Sequence, residues 1–96
     1  MRLEVITPDK KLFEGNVDAV SFPGIDGSFQ VLKGHAPIIS TLKEGRIKVS
    51  LSNDEKEIDM LSGEIENDPS NDRIIRLSIK GGVVEMQNDK IIVLAD

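Results

Sequence analysis

The chain of 96 residues has no cysteine, no tryptophan, no tyrosine and only three phenylalanines. Without cysteine there can be no disulfide scaffold, no thiol nucleophile and no cysteine-ligated zinc or iron–sulfur centre. The composition is compatible with a reducing compartment. No apolar run approaches the ~20 residues a membrane-spanning helix needs, so direct membrane insertion is not expected. Glu4 falls where a secretory signal would begin its apolar stretch. Basic side chains are the minority, 12 against 17 acidic ones, giving a net charge of −5. Together with the scarce aromatics, that argues against nucleic acid, whose binding calls for basic patches and stacking platforms.

What is present is an ordinary globular composition, 39% hydrophobic and 30% charged. The length bounds the chain to one domain, residues 1–96, with a thin core. Apolar residues recur with period two. Ile47, Val49 and Leu51 share one face of 46–52, and Ile75, Leu77 and Ile79 repeat the pattern. Leu3 with Val5, and Ile58 with Met60, do the same over shorter spans. Such alternation predicts strands with one buried and one wet face, and the β-branched content favours the same reading. Pro37-Ile38-Ile39 and Ile91-Ile92-Val93-Leu94 read as short, more fully buried strands.

Turn residues punctuate the chain at short intervals: Gly15-Asn16, Pro23-Gly24, Asp26-Gly27, Lys33-Gly34, Glu44-Gly45, Gly81-Gly82 and Asn88-Asp89 among them. Asp26-Gly27 and Asn88-Asp89 suit tight hairpins. No long stripe at helical spacing is found, so the fold class is all-β, an antiparallel sandwich or barrel with essentially no helix. The polar, acidic stretch 62–73 breaks the rhythm and reads as a long loop or the tip of a protruding hairpin.

Catalytic machinery is hard to find. His35 is the lone histidine. Ser28 or Ser40 could join it in a triad only without any nucleophile-elbow motif. A metal site would need further soft ligands, and Asp68 with Asp72 lacks the ligand pattern of a calcium loop. The pairs Gly24/Gly27 and Gly81/Gly82 are not followed by the Gly-Lys-Ser/Thr of a phosphate loop, and they read as turn glycines, as does Gly34. No catalytic residue, metal or cofactor is expected. Two readings follow: a recognition module working by its surface, or a small ligand-binding or enzymatic sandwich built around His35.

The order of short motifs favours the first. Thr7-Pro8-Asp9 is followed by Leu12-Phe13-Glu14-Gly15, then Val20-Ser21-Phe22-Pro23-Gly24-Ile25-Asp26-Gly27, then Val31-Leu32-Lys33-Gly34-His35-Ala36-Pro37-Ile38. Leu42-Lys43-Glu44-Gly45-Arg46-Ile47, Gly81-Gly82-Val83-Val84-Glu85-Met86 and Ile92-Val93-Leu94-Ala95-Asp96 complete the series. The series closely resembles the epsilon subunits of the F-type ATP synthases, called delta in mitochondria, over residues 2–52 and 79–96. The resemblance implies a flattened antiparallel β-sandwich of about ten strands at the foot of the central stalk. It implies a non-catalytic subunit that packs on the gamma subunit and touches the polar loops of the membrane c-ring. Such a subunit couples proton-driven rotation to ATP synthesis, as a peripheral part of F1 on the cytoplasmic face of the bacterial inner membrane.

On the same resemblance, His35, Ala36, Pro37 and Ser40 are expected toward gamma, and Asp26, Gly27 and Ser28 toward the ring. The sequence departs from the family's pattern in three places. It stops at Asp96, where the family usually continues into a two-helix domain that restrains ATP hydrolysis and in some members binds ATP. Both functions are therefore expected to be absent. Residues 53–78 are longer than the usual equivalent, implying an extended hairpin around the acidic loop. Ser28 and Lys33 stand where the family often has Glu and Pro.

Overall fold

The computed structural model describes residues 1–52 and 65–96, and among them every regular element is a strand. The strands are β1 (Arg2–Ile6), β2 (Lys11–Phe22), β3 (Phe29–Leu32), β4 (Ile38–Leu51), β5 (Ile65–Asp68), β6 (Asn71–Gln87) and β7 (Lys90–Ala95). They hydrogen-bond in the order β1-β7-β6-β4-β2-β3, with β5 on β6. Because β1 also pairs with β2, the sheet closes on itself. Closure removes most of the unpaired edges that an open sheet would leave. One pair departs from the antiparallel expectation: β1 and β7 run parallel, Leu3 beside Ile91 and Val5 beside Val93.

The described residues form seven strands against the expected ten or so for the chain, and glycine accounts for three of the expected breaks. Glu44-Gly45, Gly15-Asn16 and Gly81-Gly82 read as turns, yet each lies inside a strand. β4 and β6 keep register from Ile38↔Met86 to Ser50↔Ile74 without a shift. β6 changes its second partner along its length: β5 covers Asn71–Leu77 and β7 covers Gly82–Gln87. The glycine pair sits at that changeover. A Cβ on Gly82 would run into the Leu94 carbonyl and Ala95, and φ there is +150°, a conformation L side chains rarely adopt. These glycines let long strands bend rather than end.

The alternating residues fill the interior as expected. Ile47, Val49 and Leu51 of β4 face Ile75, Leu77 and Ile79 of β6, together with Leu3, Val5, Phe13 and Val93. Full burial of one such side chain is worth about 1.5–3 kcal/mol. No polar or charged residue is buried among the described residues. Ile91 to Leu94 proves to alternate rather than to be buried throughout, with Leu94 57% exposed. Pro37-Ile38-Ile39 differs more: Pro37 is exposed, Ile38 half-buried and Ile39 76% exposed. The run starts β4 at its rim, where there is no neighbouring layer to cover it.

Asn88 and Asp89 have φ of 53° and 64°, the two left-handed residues of a tight hairpin between β6 and β7. The acidic stretch resolves, from residue 65 on, into the β5–β6 hairpin. The strand expected around Ile58 and Met60 and the first part of the acidic stretch lie outside the described residues.

Candidate protein-docking rim

Two exposed segments chosen from the sequence converge on the first half of β4. The first is the loop after β2. Lys43 N donates to Pro23 O at 2.9 Å and Ile25 N to Thr41 O at 3.0 Å, bracketing an isolated bridge between Gly24 and Leu42. Gly27 N then donates to Gly24 O at 3.0 Å, closing a tight turn with φ of +128° at Gly27. Gly24 must be glycine: a Cβ would stand 2.5 Å from Gly27 O and 2.9 Å from the Phe29 ring. That ring packs on Phe22 at 5.5 Å between centroids. The turn therefore presents Asp26, Gly27 and Ser28 to solvent from a base buried at Pro23 and Gly24.

The second segment joins β3 to β4. His35 N donates to Leu32 O at 3.0 Å, and Gly34 at φ +85° makes the reversal possible. His35, Ala36 and Pro37 are all exposed. The imidazole Nδ1 lies 2.7 Å from the Ala36 carbonyl. A carbonyl can only accept, so Nδ1 is the donor in this contact. Ser40 follows within β4, half-buried opposite Val84. The structure thus brings His35–Ser40 and the 25–28 turn to one stretch of strand. Gly34 lies in a turn and Gly24 in an isolated bridge at the foot of one, while Gly81 and Gly82 lie within β6.

The arrangement presents residues 25–28 and 35–37 as exposed surface. A depression of about 820 Å³ opens elsewhere, between Thr7–Lys10, Glu44–Arg46, Lys80 and Asp96. His35 is not part of its lining. Among the described residues no group of three or more His, Asp or Glu side chains could hold a metal. Asp68, weighed as a calcium ligand from the sequence, is engaged at home. Ser70 Oγ and N donate to it at 2.6 and 2.8 Å, and Arg76 at 2.9 Å. Those donors, the Ser70 hydroxyl foremost, hold its carboxyl well below the usual carboxylate range. No helix among the described residues is long and apolar enough to cross a membrane.

Sequence reasoning missed one property of the rim. The free edge and outward side chain of Ile39 sit between the two segments, and the apolar run around it looked like core. Its signal was Pro37, which marks the end of a loop and hence a rim position.

Comparison with known proteins adds the lineage. The family described as ATP synthase, Delta/Epsilon chain, beta-sandwich domain, matches residues 1–74. An ATP synthase epsilon chain of Chlorobium limicola is 37% identical over 95 residues, covering 99% of this chain and 88% of the relative. The one from Chlorobaculum tepidum is 38% identical over 94 residues, covering 98% and 86%. The relative from Salinibacter ruber is 34% identical, and this chain spans 58% of its length. Among solved structures, a chain in the central stalk and c-ring of the Tetrahymena thermophila mitochondrial ATP synthase superposes with a TM-score of 0.68. It covers 99% of this chain and 62% of that one at 16% identity, a likeness of fold.

Proposed function

Because the chain belongs to the family of ATP synthase delta/epsilon chains, in its β-sandwich domain, we propose that it is a central-stalk subunit that couples rotation of gamma to the c-ring during ion-driven ATP synthesis. It catalyses nothing itself. The 35–40 segment, with His35, Ala36, Pro37 and Ser40, docks on gamma. The turn carrying Asp26, Gly27 and Ser28 meets the polar loops of the ring. Residues 1–96 act as one unit, peripheral to the membrane and on the cytoplasmic face of the bacterial inner membrane.

The observation that carries this reading is the backbone anchoring of both exposed segments to β4, through Ile25 N to Thr41 O and through direct continuity of Pro37 into Ile38. A linker between two moving partners must pass force without yielding. A closed β-sheet whose docking segments hydrogen-bond to a core strand is stiff in that sense. The Ser28 side chain is exposed and uncharged where the family often has Glu, so main-chain and shape contacts carry more of the ring-facing contact here.

The test is co-purification with gamma. The intact chain is expected to form a stable complex, and replacing 34–37 by a Gly/Ser linker of equal length is expected to abolish it. Failure of the intact chain to bind gamma would sink the stalk reading. Full binding by the linker variant would move the gamma-facing surface elsewhere.

A further inference from the structure

The free edge of β4 is built differently from the other exposed edges. In an extended strand the N–H and C=O of one residue point to the same side, and alternate residues point to opposite sides. Thr41 O and Lys43 N both face the 23–25 loop, since they bond Ile25 and Pro23. The even residues Ile38, Ser40 and Leu42 therefore face β6, with which they pair at Met86, Val84 and Gly82. Ile39, between them, directs both its N–H and its C=O away from β6. The described part of β2 reaches β4 only at Lys48–Leu51, and the 23–25 loop stops at Thr41. Nothing among the described residues bonds the outward Ile39 groups or the Thr41 N–H.

Natural sheets guard such edges with charge, proline or a bulge. The outer edge of β5 follows that rule, with Glu66, Asp68 and then Pro69. β3 is only four residues long and is followed by Lys33. The β4 edge at Ile38-Ile39-Ser40-Thr41 has no charge, and three of its four residues are β-branched. It also carries the most exposed large hydrophobic side chain of the described residues, Ile39 at 76%. Beside it lies a shallow depression of about 360 Å³ lined by Pro37, Ile38, Ile39, Glu85, Met86 and Gln87.

From these observations we infer that β4 accepts an added strand: a short extended segment of gamma pairs with the outward N–H and C=O of Ile39 and the N–H of Thr41. One apolar side chain of the partner fits over Ile39 into the neighbouring depression. Main-chain pairing of this kind supplies affinity while the adjoining pocket supplies selectivity. The added strand is short, because Ile25 closes the edge at one end and Pro37 at the other. The inference rests on the assignment of 35–40 as the gamma-facing segment, and it specifies the mode of contact: backbone pairing, not side-chain charge.

Hydrogen exchange on the intact chain, alone and with purified gamma, tests it. The amides of Ile39 and Thr41 exchange fast in the free chain, and in the complex they slow by about tenfold or more. Ile39→Pro removes the outward N–H without touching the β6 ladder, and an edge position tolerates proline. That variant keeps its melting transition and loses gamma, whereas Ile39→Val keeps both. A complex in which the Ile39 and Thr41 amides exchange as fast as before overturns strand addition and leaves the stalk reading standing. No complex at all overturns both. Protection of Ile39 at high concentration without gamma, with a dimer in sedimentation, assigns the edge to a second copy and overturns the partner named here.

Discussion

Single residues set the shape of the rim. Gly24 is packed so closely that any side chain would meet Gly27 O and the Phe29 ring. Gly24→Ala is expected to cost about 1–3 kcal/mol by overpacking, and to loosen the 26–28 turn before it disturbs the strands. Denaturant melts of the variant measure the first, and exchange at the Gly27 amide measures the second. Asp68 supports a different prediction. Its carboxylate is stabilised by Ser70 and Arg76, so its folded pKa is lowered relative to the unfolded chain. A lowered acid pKa contributes stability above the unfolded value of about 4, and that contribution fades as pH falls below it. Asp68→Asn should melt earlier than the parent at pH 7, and the gap should close in acid. A gap that stays constant with pH would mean the carboxylate charge is not the cause.

At the scale of elements, the chain's core was legible because period-two alternation reports directly on which face is buried. Ile47, Val49, Leu51, Ile75, Leu77 and Ile79 all proved to be core. Ile75→Ala should therefore destabilise by about 2–5 kcal/mol, while Ile39→Ala, despite the similar neighbourhood in sequence, should change stability by no more than about 0.5 kcal/mol. A chemical-denaturation series on both variants checks the contrast. Element boundaries were less legible. A glycine signals freedom of φ, and a turn or a bend within a strand both use that freedom, so Gly45 and Gly81-Gly82 read as turns although β4 and β6 run through them. The parallel β1–β7 pair was invisible for another reason: it joins the two ends of the chain, and local pattern carries no information on such long-range pairing. Of the site, both turns were legible from Asp26-Gly27 and Lys33-Gly34, because their chemistry is local. The open edge at Ile39 was not, because whether an apolar run is covered depends on what packs against it.

On the scale of the whole molecule, a closed sheet with a thin core and two anchored rim segments suits a part that is held between partners. Binding to the folded state stabilises by mass action, about 2.7 kcal/mol when the partner is present at a hundred times its Kd. Melting of the chain is therefore expected to move to higher temperature with saturating gamma, as scanning fluorimetry would read. No shift at saturation would contradict a docking role. The absence of cysteine, which first excluded thiol chemistry, also makes the most direct test clean, since an introduced cysteine is the sole thiol of the chain. His35→Cys and Ser28→Cys, each carrying a thiol-linked photo-crosslinker, can be assembled into the rotary complex and illuminated. Adducts from position 35 with gamma and from position 28 with the c-ring are the predicted result. Assembly without either adduct would contradict the placement of this chain between those two partners.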